Sequence, residues 1–230
     1  MIETAMILAA GRGERMRPLT DTIPKPLLPV AGRSMLDRSM DRLEAYGVRK
    51  IVVNAHYLGS QIARHLAGRA TVLHEEQLLD SGGGIKNALG LLGRDAFFVV
   101  NGDGLWRDGP TSILSRLEAA WDPERMDALL LLHPIDRMFG REAHDRGDYF
   151  LDADGRIRHR GDAALAPHLY ASLYVCDRRL FDDTPDGAFS VVPLWHRAQA
   201  KGRLFGLVND GDWFHIGTPQ ALAEAEKALA

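Results

Sequence analysis

This chain of 230 residues carries a single cysteine, Cys176, so no internal disulfide framework can hold it and stability must come from a packed core. No apolar run approaches the ~20 residues that span a bilayer. The apolar stretch after Met1 ends at Gly11, too short for a secretory leader. The net charge of −3 and a pI near 6.3 leave no electrostatic footprint for nucleic acid or an anionic membrane surface. Two common phosphate motifs are also missing. Met16 stands where a dinucleotide fingerprint wants its third glycine, Pro18 follows soon after, and there is no Gly-Lys-Ser/Thr of a P-loop. No serine, cysteine or histidine nucleophile has an evident paired base, which argues against covalent catalysis. These absences predict a cytoplasmic enzyme, monomer or homodimer, with small-molecule partners, no nucleic acid and no membrane.

What is present fits one domain, 1–230. An apolar content of 46% suits a chain of this size, which buries about 70–75% of its extended surface on folding. Apolar runs at 5–10, 51–53, 70–74, 97–100 and 129–132 read as buried strands. Between them lie helical patterns over 35–46, capped by Ser34 and stopped by Gly47, then over 60–66, 85–92 and 110–121. Such alternation predicts an α/β, Rossmann-like three-layer fold: a mostly parallel sheet, helices on both faces, ligands beyond the carboxyl ends of the strands. Residues 149–151 and 156–158 flank Asp152-Ala153-Asp154-Gly155 and predict a small β-hairpin insertion; 169–175 is a further strand and 220–229 a final helix.

The chemistry concentrates at strand ends. The first strand runs into Ala10-Gly11-Arg12-Gly13, where glycine lets backbone N–H groups close on an anion. Arg15 follows, and Lys25 is held between Pro24 and Pro26, which restrict the backbone on both sides. A glycine turn with two placed cations predicts a polyphosphate site. Ser81-Gly82-Gly83-Gly84 precedes the helix at 85–92, and the glycines predict close backbone approach to a ligand at its N-terminus. The fourth strand delivers Asn101-Gly102-Asp103, which places a carboxylate where a hard cation bridging phosphate oxygens is held. The polar stretch 134–146, with Arg137, Arg141 and Arg146, reads as a loop. Its Arg146-Gly147-Asp148 tripeptide is an adhesion-like sequence by chance.

Gly11, Gly13, Arg15, Pro18, Leu19, Thr20, Lys25 and Pro26 together resemble the signature of the sugar-1-phosphate nucleotidyltransferases, the nucleotide-sugar pyrophosphorylases. The resemblance covers nearly the whole chain. Gly-Glu-Arg-Met-Arg-Pro-Leu-Thr, the triple glycine with Ile85, and Asn-Gly-Asp are most similar to the short N-acetylmuramic acid 1-phosphate uridylyltransferases of cell-wall recycling. It implies catalytic roles for Arg15, Lys25 and Asp103, and nucleotide contacts at Ala10, Gly11, Gly13, Arg15, Lys25, Gly82 and Gly83, with Glu75 on the base. Sugar-phosphate contacts fall at Asn101, Asp148, Arg160 and Tyr170. Residues 1–133 form the nucleotide half, 134–218 the sugar half, with the 134–146 loop over the sugar pocket, and 219–230 a terminal helix. The substrates implied are a nucleoside triphosphate and a sugar 1-phosphate, with Mg²⁺ on Asp103.

Three departures qualify the match. Ser172 stands where a glycine is commoner, Arg158-His159-Arg160-Gly161 replaces the usual Glu-Lys-Pro, and His215 replaces the aspartate that supplies the second metal ligand. Imidazole suits softer ions, so His215 implies Mn²⁺ or Co²⁺ as alternatives, a water-bridged ion, or Asp212 in its place. The sequence stops at Ala230 and predicts no hexapeptide-repeat domain, unlike the bifunctional N-acetylglucosamine enzymes. Competing functions are a mannose- or heptose-1-phosphate guanylyltransferase, since a glutamate also pairs with guanine, and a nucleotide-sugar sensor without turnover.

Overall fold

The computed structural model describes residues 1–139 and 145–229. Its strands, in chain order, are β1 (Thr4–Leu8), β2 (Pro29–Val30), β3 (Arg33–Ser34), β4 (Lys50–Ala55), β5 (Thr71–His74), β6 (Phe97–Asn101), β7 (Gly104–Arg107), β8 (Ala128–Pro134), β9 (Tyr149–Leu151), β10 (Ile157–His159), β11 (His168–Cys176), β12 (Leu204–Val208) and β13 (Asp212–His215). The helices are α1 (Met35–Tyr46), α2 (Gly59–Leu66), α3 (Asp80–Leu92), α4 (Ile113–Ala120), α5 (Val192–Ala200) and α6 (Pro219–Leu229).

β6, β1, β4 and β5 lie side by side and parallel. β11 runs antiparallel between β6 and β8, and β12 pairs in parallel with β8. The β9/β10 hairpin joins β11 at His168. The strands are apolar without alternation because both faces are covered. On one face Ile7, Val53, Phe98, Val100 and Leu131 pack against Leu36, Met40, Ile62 and Leu117 of α1, α2 and α4. On the other, Met6, Val52, Val99, Leu130 and Tyr174 meet Ile85, Ala88, Leu194 and Trp195 of α3 and α5. Successive residues of one strand therefore serve opposite cores, the period of two that a strand imposes. This is the predicted three-layer architecture.

β1 is the pivot. The chain leaves it toward β4 and β5 and then returns to its other side as β6, so a crevice opens outside the carboxyl ends of β1 and β6. Ala9–Gly13, Asn54 and Asn101–Asp103 all emerge there.

Some elements depart from the sequence reading. α3 begins at Asp80, so its three glycines lie inside the helix. α4 begins at Ile113, not at 110, where Asp108 Oδ1 accepts the Ile113 N–H at 3.0 Å. Pro29–Val30 and Arg33–Ser34 pair as the short β2/β3 ribbon, and β7 pairs with β13, two pairings to which the sequence pattern assigns no strand. Within 134–146, a turn of 3₁₀ helix covers Ile135–Arg137, and Arg141 lies outside the described residues. Ser172 has φ of +61°, a left-handed conformation that glycine adopts without strain, which accounts for the residue type commoner at that position.

Candidate active site

A cavity of about 710 Å³ occupies the crevice. One wall is the loop after β1, another is Asn101–Asp103 after β6, and Asn54, Leu78, Asp80 and Ser81 close the far side. In the loop, Gly13 alone takes the left-handed conformation, at φ +63°, and a Cβ there would press on Lys25 Cβ and Thr20 Cγ2 at 3.0 Å. The Thr20 hydroxyl donates to the Gly13 carbonyl at 2.8 Å and fixes the turn. A Cβ at Gly11 would meet nothing within 4 Å, so that glycine opens onto the cavity. The N–H groups of residues 10–13 carry no hydrogen bond among the described residues, which leaves them available to an anion.

Lys25 starts a short 3₁₀ turn after Pro24 and is 8% exposed. Its Nζ donates to Asp103 Oδ2 at 2.8 Å. Burial is the largest influence on Asp103 and would raise its carboxyl pKa, but Lys25, His215 and Arg15 together hold it below the ordinary range. The carboxylate is therefore charged at neutral pH. Asp103 Oδ1 carries no hydrogen bond among the described residues. Gly102 permits this approach of β6 to β1: its N–H donates to the Leu8 carbonyl at 2.8 Å, and a Cβ would lie 2.7 Å from that oxygen.

His215 reaches the same place through the β7/β13 ribbon, where it pairs with Gly104 beside Asp103. The Ile216 N–H also donates to the Asp103 carbonyl at 3.3 Å. A Cβ on Gly217 would lie 3.0 Å from His215 Nε2 and 3.4 Å from Arg15 Nη1, so these side chains converge over a residue that has none. Burial chiefly lowers the His215 pKa, Asp103 opposes this, and Lys25 and Arg15 add to it, leaving a neutral imidazole at pH 7. Asp212 does not join the cluster. It sits three residues back on β13, facing the opposite side, and its carboxylate is held by the Arg107 guanidinium, with Nε at 2.7 Å.

Arg15, Lys25, Asp103, His215, Asn101 and the glycine loop thus come together, with the Tyr170 hydroxyl on Asn101; Glu75, Gly82, Gly83 and Arg160 do not join them. Glu75 is 2% exposed, and its carboxylate accepts the Asn54 side-chain N–H at 2.7 Å and the Leu79 N–H at 3.1 Å, away from the cavity. The Gly82 and Gly83 positions answer to the protein itself: a Cβ on Gly82 would lie 2.5 Å from the Phe189 ring, and one on Gly83 would collide with the Gly187 carbonyl. Arg160 donates to the carbonyls of Gly147 at 3.0 Å and Ala163 at 2.5 Å, closing its own loop. Asp148 accepts the Tyr170 N–H at 2.9 Å, and the Tyr170 hydroxyl donates to Asn101 Oδ1 at 3.3 Å, linking the hairpin side to β6. Arg137 Nη2 lies 3.2 Å from the Gly211 carbonyl. Asn54, Leu78 and Asp80 line the cavity although sequence reasoning assigns them no role, and Ser81, which precedes the three glycines, lines it from the first turn of α3. Asn54 did carry a signal, since it ends an apolar strand as Asn101 does.

The MobA-like NTP transferase domain matches residues 5–183. The chain belongs to this family. The NTP transferase is 44% identical to the N-acetylmuramate alpha-1-phosphate uridylyltransferase of Caulobacter vibrioides, over 98% of this chain and 96% of that protein. It is 35% identical to the protein of the same name in Neisseria meningitidis, over 98% and 97%. HddC of Yersinia pseudotuberculosis, solved with GMP-PN, superposes with a TM-score of 0.76 at 21% identity over the full length of both chains, a likeness of fold. Membership makes this NTP transferase an enzyme of the predicted class. Nucleotidyltransferases of this kind generally use a divalent metal ion. No helix among the described residues is long and apolar enough to cross a membrane.

Proposed function

We propose that this NTP transferase moves UMP from UTP to N-acetylmuramic acid 1-phosphate, giving UDP-N-acetylmuramic acid and pyrophosphate. The two relatives that match from end to end bear that name, and the observation that carries the reaction class is the Lys25–Asp103 pair, 2.8 Å apart, beneath an open glycine loop. An oxygen of the sugar phosphate attacks the α-phosphorus in line. The new O–Pα bond forms as the Pα–O–Pβ bond breaks, and pyrophosphate leaves with the electron pair. No proton need move and no enzyme nucleophile is required.

The loop N–H groups of residues 10–13 take the triphosphate oxygens, Arg15 and Lys25 neutralise charge that grows on them, and Asn101 with Tyr170 faces the sugar. Such transfers depend on positioning and on charge stabilisation. Asp103 and His215 are the residues that would hold a divalent ion. Their chemistry fits such an ion: Asp103 is ionised with one oxygen unbonded among the described residues, and the imidazole of His215 beside it is neutral. That ion would supply further neutralisation of phosphate charge, as Mg²⁺ or, through the imidazole, Mn²⁺ or Co²⁺. A muramyl sugar carries a lactyl carboxylate, for which Arg137, Arg141 and Arg146 of the 134–146 stretch are the candidate cations.

Pyrophosphate release is measured with UTP, GTP, CTP and dTTP against muramyl, glucosaminyl, glucosyl and mannosyl 1-phosphates, in Mg²⁺ and in Mn²⁺. A dominant signal for UTP with the muramyl phosphate is expected. GTP with mannose 1-phosphate would move the chain to the guanylyl branch, and nucleotide binding with no release anywhere would make it a sensor.

A further inference from the structure

We propose that Asn54 is a positioning residue which, with Glu75, ties the phosphate loop to the start of α3 and so sets the spacing between the two ends of the nucleotide site. The inference rests on the nucleotide reading of the cavity and removes Glu75 from any contact with the base.

The β1/β4 ladder ends with Leu8 opposite Asn54, so the next N–H on the loop side, that of Ala9, has no backbone partner. Asn54 Oδ1 accepts it at 2.8 Å, adding one rung beyond the sheet. Asn54 Nδ2 then donates to Glu75 Oε1 at 2.7 Å, and Glu75 Oε2 accepts the N–H of Leu79, which precedes α3, at 3.1 Å. The Glu75 N–H closes the unit by donating to the Ala55 carbonyl at 2.8 Å. Both residues are 2% exposed, so a group that loses its partner here is left buried and unpaired, which is costly. A Cβ on Gly84 would lie 2.7 Å from Asn54 Nδ2 and 2.9 Å from Glu75 Oε1, so this glycine of α3 exists to admit the pair. At one end of the chain of bonds, Ala9 leads into Ala10 and Gly11; at the other, Leu79 leads into Asp80 and Ser81; all but Leu79 line the cavity. A triphosphate with its nucleoside has to meet both ends at once, and a shift of one against the other misplaces the α-phosphorus.

Hydrogen-bond polarity provides the test. Asn54→Asp places two carboxylate oxygens together, and Glu75→Gln alone faces one N–H group with another. The double variant Asn54→Asp with Glu75→Gln restores every bond: the carboxylate introduced at position 54 accepts from the Ala9 N–H and from the new amide at position 75, whose oxygen accepts from Leu79. Steady-state kinetics are measured for each alongside thermal unfolding. In the single variants KM for the triphosphate is expected to rise roughly 10- to 100-fold while KM for the sugar 1-phosphate stays within about threefold, and the double variant is expected to recover most of the loss. Folded single variants with an unchanged triphosphate KM, or a double variant no better than Asn54→Asp, would overturn the proposal and leave the pair a stability element only. If Asn54→Asp does not fold, Glu75→Gln and the double variant decide by the same comparison. Failure of the nucleotide reading is distinct, because the unmodified protein would then bind and turn over no triphosphate.

Discussion

Lys25→Met keeps an unbranched stem in the space beside Gly13 and removes the ammonium that lies 2.8 Å from Asp103 Oδ2. Removing one partner of a fully buried ion pair costs about 3–5 kcal/mol, and an exposed pair contributes about 0–1. Here the side chains are 11% and 28% exposed, so the loss falls between, at about 1–3 kcal/mol. Its pH dependence identifies its source. In the unmodified protein Asp103 titrates below its ordinary value of 3.8, so its contribution is present above that value and is lost as pH falls through the lower, folded one. Without Lys25, burial is opposed only by His215 and Arg15, the carboxyl pKa rises, and the variant is penalised where the unfolded chain would ionise freely. The stability difference is therefore largest near pH 7 and shrinks toward pH 4. Urea unfolding in EDTA at several pH values reads it directly, and a difference that is absent, or constant from pH 4 to 7, would refute the electrostatic account. A cation beside transferring phosphate contributes on the order of 10³ or more in rate, so kcat is expected to fall by about that factor. A kcat within tenfold of the unmodified enzyme would remove Lys25 from the chemistry.

His215→Asp replaces a neutral imidazole by a hard carboxylate beside Asp103 and is expected to shift the ion preference in the pyrophosphate assay toward Mg²⁺; an unchanged Mg²⁺ to Mn²⁺ ratio would take His215 out of contact with the ion. Because burial lowers the His215 pKa below its ordinary 6.5, the imidazole contributes stability above that value that is lost on acidification, so His215→Gln is expected to flatten the stability curve of the metal-free protein below pH 6.5. Gly83→Ala is expected to cost several kcal/mol because its Cβ has to displace the Gly187 backbone, whereas Gly90→Ala in the same helix meets nothing within 4 Å and is expected to add about 0.5–1 kcal/mol, both read by chemical denaturation. Replacing Arg137, Arg141 and Arg146 together by alanine is expected to raise KM for muramyl phosphate at least tenfold with little effect on UTP; unchanged muramyl affinity would break the link between those arginines and the lactyl group.

The parallel half of the sheet was legible because its strands are buried on both faces: four apolar residues in a row followed by a polar one marks both a central strand and the end from which a site is built, as at Val100 and Asn101. The glycine loop was legible for a related reason, since Gly13 needs a left-handed turn and Lys25 packs on it. Side-chain bonding was not. Glu75 and Arg160 have the residue types of ligand contacts, yet the Glu75 carboxylate is engaged by Asn54, 21 residues away, and by the Leu79 N–H, and the Nε and Nη1 of Arg160 by the carbonyls of Gly147 and Ala163, pairings that residue type does not announce. Three glycines in a row at the start of a helix suggest room for a ligand; in α3 a Cβ on each would meet Phe189, Gly187 and the Asn54–Glu75 pair in turn.

His215 shows where the two kinds of reading meet. That its identity departs from an expected aspartate is visible in the sequence, but which side chain near it faces Asp103 is a matter of register. β7 and β13 pair so that His215 lies opposite Gly104 and Phe214 opposite Leu105, with Phe214 packed among Met16, Leu28 and Ile216. A slip of one residue would turn the phenyl ring toward Asp103 and the imidazole into that apolar cluster, with the cost of an unbonded polar ring in the core. The ribbon's hydrophobic pattern therefore fixes the second candidate metal donor, and the same pairing carries Asp212 outward to Arg107. The choice among His215, a bridging water and Asp212 narrows to the first two, and the ion preference of His215→Asp separates those.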